Sequence, residues 1–154
     1  MVIVQSNLAS SLNDLGRFEE ALILRREAYS GTLRLKGEEH RETLMEANRY
    51  AALLGEGGRL KEAKKLLRKT TPVARRVLGE GHQFTLFMRQ NYANTLYINP
   101  SATLDDLREA VTTVEDVERI ARRVLGGSHP DVAIYEASLQ KARAALAARE
   151  TPDA

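Results

Sequence analysis

The chain has 154 residues, 23 Lys and Arg against 21 Asp and Glu, and no cysteine. It is long enough to bury a core without a staple, and it cannot form disulfides or Cys-bound zinc sites. A surplus of two charges is too small to point to nucleic acid, and five Tyr, three Phe and no Trp offer little for base stacking.

The opening MVIVQSNLAS has no basic leader, so no signal peptide is expected. Leu8, Leu12 and Leu15 follow at helical steps, predicting a first helix over 2–15. Gly16-Arg17 breaks it, and Phe18, Ala21, Leu22 and Ala28 carry a second helix over 18–35. Leu44, Ala47, Ala51 and Leu54 place a third at 41–55, ended by the glycines between 55 and 58. Leu60, Ala63, Leu66 and Leu67 start a fourth over 59–78, in which Pro72 should cause a bend or a break. The Ser30-Gly31-Thr32 step is a comparable soft spot in the second helix. A fifth helix over 83–98 leads to an Asn-Pro loop. Thr103 and Asp106 then form a capping box for a sixth over 104–125. A seventh, over 130–148, begins with Pro130 at its first position and is rich in alanine. Residues 151–154 are expected to be a disordered tail. No run approaches the roughly 20 apolar residues of a membrane span, so a cytoplasmic protein without a membrane partner is expected.

The helices repeat. His40, His82 and His129 are spaced by 42 and 47, and so are Gly37, Gly79 and Gly126, and Ala21, Ala63 and Ala110. Ala9, Ala51 and Ala93 keep the 42-residue step, so five extra residues lie between Ala93 and Ala110. Each unit is a helix A, a tight turn and a helix B. Each joint should use glycine as a left-handed C-terminal cap and histidine as the residue that opens the next helix.

These residues carry a resemblance. The L-G-x-x-H joint, the turns Gly16-Arg17-Phe18-Glu19-Glu20-Ala21 and Gly58-Arg59-Leu60-Lys61-Glu62-Ala63, and the segments Asn7-Leu8-Ala9 and Asn91-Tyr92-Ala93 resemble tetratricopeptide repeats of the kinesin-light-chain type. The resemblance implies an all-α, right-handed solenoid of antiparallel helix hairpins with about seven helices. A single array over 1–150 would hold units of about 1–37, 38–79 and 80–126 and a capping helix at 130–148. It also implies a non-catalytic scaffold that binds a peptide or protein segment in the concave groove of its A helices. Matching the A helices gives Ser6, Ser10 and Asn13, then Asn48, Ala52 and Glu56, then Gln90, Asn94 and Tyr97 as groove positions. Side-chain amides there could hold a peptide backbone by donor and acceptor together, with Arg49 and Arg89 flanking to take carboxylates. No heptad segment precedes the repeats, so a kinesin cargo-adaptor role is not expected.

Other readings are weaker. Val2, Ile3 and Val4 leave an apolar start that suits self-association through the N-terminal helix, or a piece of a longer array. Arg34, Arg76 and Arg123 keep the repeat's register at B-helix ends, where cations complement the helix dipole. As a basic stripe they could take phosphates or nucleic acid. The three histidines lie in separate joints, too far apart for one metal. The adjacent acids Glu19-Glu20 and Asp105-Asp106 point apart on their helices, so they form no acid–base pair. No cofactor, metal or catalytic residue is expected.

Overall fold

The computed structural model describes residues 16–151. Among them are six helices and no strand: α1 (Phe18–Lys36), α2 (Arg41–Glu56), α3 (Leu60–Leu78), α4 (Gln83–Tyr97), α5 (Leu104–Leu125) and α6 (Pro130–Glu150). Each lies within two residues of the sequence expectation at either end. The first expected helix, at 2–15, falls outside the described residues. The chain divides into two compact units, Met1–Val77 and Leu78–Ala154.

In the N-terminal unit α1 packs against α2. Ala21, Ala28, Ala47, Ala51, Ala63 and Ala74 are all buried to within 1%. Small side chains at these points let helices approach closely, and Leu22, Leu44, Leu54 and Leu67 fill the remaining space. Pro72 does not interrupt α3, which runs as α-helix from residue 60 to 78. The soft spot in α1 is helical too. There the Thr32 hydroxyl donates to the Ala28 carbonyl at 2.8 Å, back-bonding within the helix. The turn after α2 has Schellman geometry: Arg59 N–H donates to the Leu54 carbonyl (2.8 Å), and Gly58 N–H to that of Gly55 (3.0 Å). Gly58 supplies the positive φ of +75° that this turn requires. Its neighbour Gly57 is needed for space, because any Cβ there would fall inside the Phe18 ring.

In the C-terminal unit α4 packs on α5, α5 on α6, and α4 also touches α6. Leu86 of α4, Val117, Ile120 and Ala121 of α5, and Val132 and Tyr135 of α6 form one core cluster, all at most 5% exposed. The capping box opens α5 as expected: Asp106 N–H donates to Thr103 Oγ1 (3.1 Å) and Thr103 N–H to Asp106 Oδ2 (3.2 Å). The Arg149 guanidinium of α6 donates to the carbonyls of Ala102 (2.8 Å) and Pro100 (3.1 Å), within the lengthened turn before α5. Helix α6 runs two residues past the expected end. Thr151, assigned to the tail on sequence grounds, closes it by donating its N–H and its hydroxyl to the Ala147 carbonyl.

All three joints use histidine in the same way. The His40, His82 and His129 Nδ1 atoms accept from the N–H groups of Glu42, Phe84 and Asp131, at 3.1–3.2 Å. Each ring thereby satisfies one of the amides that a helix start leaves unpaired. The joint glycines differ from the expected left-handed cap. Gly37 has φ 85° and ψ 169°, and Gly126 has φ 91° and ψ 148°. This is an extended, positive-φ conformation open almost only to glycine, and it explains the residue's return in every joint.

Candidate functional site: the A-helix faces

In the N-terminal unit the A-helix positions lie on α2. Asn48 is buried (4% exposed) and already bonded, while Ala52 and Glu56 are exposed. Arg49 is partly exposed and donates to Glu46 at 2.5 Å. Glu46 is itself buried and lies 3.9 Å from Arg25 of α1. Burial lowers the Arg25 guanidinium below its ordinary value, and Glu46 acts in the opposite direction. Arg49 therefore belongs to a packed ionic cluster between α1 and α2. Ser6, Ser10 and Asn13, and the apolar start at Val2 to Val4, lie outside the described residues. Glu56 is also one residue out of register: adding 42 to 13 gives Gly55, and adding it again gives Tyr97.

In the C-terminal unit the positions lie on α4. Gln90 is buried, and its Nε2 donates to Ser138 Oγ of α6 at 2.8 Å. Tyr97 also hydrogen-bonds Ser138; burial pushes its phenol up and that bond draws it partly back. Asn94 is half-buried, and its Oδ1 is enclosed without a hydrogen-bond partner. Gln90 and Tyr97 thus meet at one serine on the neighbouring A helix. Ser138 was missed in the sequence, although it sits 47 residues after Asn91 in the same repeat register.

Arg89 does not flank a groove. It is 6% exposed, and its guanidinium bonds Asp116 of α5 and reaches Glu80 at 3.5 Å. It therefore lies on the B-helix side of α4, two residues before the register position that matches Arg49. Burial raises Asp116, but the hydrogen bonds from Arg89 and then Arg119 outweigh it and hold the carboxyl below its ordinary value. Among the basic ladder, Arg76 bonds Glu39 at 2.5 Å, while Arg34 and Arg123 lie exposed in the last turns of their helices. Among the described residues no group of three His, Cys, Asp or Glu is placed to hold a metal ion, and no helix is long and apolar enough to cross a membrane.

Helix hairpins joined by Gly-x-x-His, with polar residues on the A helices and alanine at the crossings, define a helical-repeat protein. Residues 1–70 match the tetratricopeptide repeat family model. The fold is similar to that of a Podosopora anserina kinesin light chain protein with nearly identical TPR-like repeats. Identity is 23%, with a TM-score of 0.83 over 94% of this chain and 66% of that one. A single-substitution variant of the same protein gives a TM-score of 0.84 at the same identity and coverage. BtubC (BKLC) from P. vanneervenii is similar at 17% identity, with a TM-score of 0.77 over 95% of this chain and 60% of that one. The chain therefore spans less than two thirds of the length of each. No curated protein sequence matches it. Residues 1–70 thus match tetratricopeptide repeats, the chain as a whole has the fold of TPR-like repeats, and repeat folds of this class are in general protein-interaction scaffolds.

Proposed function

We propose that the chain is a non-catalytic, cytoplasmic interaction module that holds an extended segment of a partner protein against its A-helix faces. In the C-terminal unit the segment would cross α4 and α6 beside Asn94 and Tyr97. The N-terminal unit, taken by itself, would offer α2 beside Arg49, Ala52 and Glu56 to a segment of the same kind. The observation that carries this reading is the state of Asn94: a half-buried amide whose oxygen has no donor, next to a Gln90–Ser138 pair that is already satisfied. An unmet acceptor costs stability until a partner supplies an N–H, and a turn of the amide about χ2 would present it to a peptide backbone.

Selection from a displayed peptide library tests the reading. Peptides that bind the wild type should lose about tenfold or more in affinity with Asn94→Ala plus Tyr97→Ala, a change of roughly 1.4 kcal/mol. They should bind normally to variants altered only on the outer face of α5. Peptides indifferent to the double variant would show that the A-helix face of this unit is not the binding surface.

A further inference from the structure

Helix α3 stands apart from its siblings in charge. Its 19 residues hold seven Lys and Arg and one acid, a net of +6 in a chain whose total is +2, so the rest of the chain carries −4. The equivalent helices are mixed: α1 has four basic and three acidic residues, and α5 has four basic and six acidic. Lys61, Lys65, Arg68 and Lys69 fall on one face, and all four are exposed. The register-equivalent residues are Glu19, Ile23, Arg26 and Glu27 on α1, and Arg108, Thr112, Glu115 and Asp116 on α5. On α5 those charges are engaged, Arg108 by Glu150, Glu115 by Arg143 and Asp116 by Arg89. Among the described residues the α3 quartet has no ion-pair partner, and the helix's one acid, Glu62, accepts from Arg59 Nε and Nη2 at 2.7 and 3.0 Å.

The fold does not require this quartet, because two sibling helices form without it. Lys61 with Lys65, and Lys65 with Lys69, are like charges one turn apart, which weakens a helix. We infer that the outer face of α3 is a docking surface for a short acidic peptide segment of a partner protein. The patch is about 12 Å long at the helical rise of 1.5 Å per residue, which matches two or three carboxylates at one-turn spacing. A long polyanion would run beyond it onto a chain that is net negative elsewhere. Helix α3 has no aromatic residue for base stacking. Its exposed face offers Val77 as its one large apolar side chain, too little to enter a bilayer. The surface is separate from the A-helix faces, and its test does not depend on them.

The probe is a fluorescent peptide of alanine and glutamate, about twelve residues long with a glutamate every fourth position, titrated into the full chain at several salt concentrations. Saturable, salt-sensitive binding is expected. It should weaken about tenfold or more in K61Q/K65Q/R68Q/K69Q, while Arg34→Gln plus Arg123→Gln, which removes two cations elsewhere, should leave it unchanged. Circular dichroism checks that the quadruple variant stays helical, and Lys65→Gln alone should give a partial loss should the quadruple variant fail to fold. Equal binding by wild type and quadruple variant, or no peptide binding at low salt, overturns the proposal. So does tighter binding of a single-stranded oligonucleotide or of vesicles rich in phosphatidylserine than of the peptide.

Discussion

The two units solve one packing problem with opposite chemistry. In the N-terminal unit Arg25 of α1 and Glu46 of α2 occupy register positions that Val114 of α5 and Tyr135 of α6 occupy in the C-terminal unit, 42 plus 47 residues later. The ionic version is nearly dry: the Arg25 and Glu46 side chains are 11% and 5% exposed. The apolar version is drier still, with Val114 at 0% and Tyr135 at 1%. A repeat register therefore fixes where a side chain lies and leaves open how it is satisfied. Charges placed in a core must bring their partners with them, and here Arg49 completes the set for Glu46.

The comparison can be broken most severely in the apolar unit. Tyr135→Ala should cost about 4 kcal/mol in chemical denaturation, because it empties a fully enclosed site. The loss should appear as faster hydrogen exchange in α5 and α6. In the ionic unit Glu46→Met should cost about 3 kcal/mol by removing the carboxylate that faces the largely buried Arg25, and Arg25→Leu added to it should recover most of that. A double variant no better than the single one would show that the ion pair contributes more than its geometric fit. Gly57→Ala comes next, at about 2 kcal/mol, since the new methyl must displace the Phe18 ring. His40→Ala and His129→Ala, one in each unit, should cost about 1 kcal/mol each through the lost cap. Similar values would confirm that the joints are alike even where the cores differ.

The smallest expected effect is one of pH. Asp116 titrates below its unfolded value, so the stabilisation it gives is fully present above that unfolded value and is lost as pH falls through the folded one. Asp116→Asn should flatten the acid limb of the C-terminal unit's stability below about pH 4. The N-terminal unit should be unaffected. An unchanged acid limb would show that the Arg89 and Arg119 bonds make no net contribution.

Most of the fold could be read from spacing. The recurring Gly-x-x-His located every joint, and apolar steps of three and four located every described helix, because both signals are local. Pro72 was misread. A proline is costly inside a helix when the helix must stand alone, but α3 is held by buried Ala63, Leu67 and Ala74, and packing carries it through. The A-helix face was harder to read for a different reason. Register says which way Gln90, Asn48 and Arg89 point, but not what waits there. Ser138 and Asp116 come from other helices, and their approach buries residues that look like a wet surface in the sequence. Asn94 is half-buried there, with its oxygen enclosed and unbonded.

The grip of Arg149 on Pro100 and Ala102 ties the one irregular connection among the described residues to the end of the last helix. Shortening that connection to the length used elsewhere would remove the carbonyls that anchor the final turn of α6. The lengthened connection at residues 98–103 and an arginine some fifty positions later thus act as one structural unit. A homologue that lost one would be expected to have lost the other.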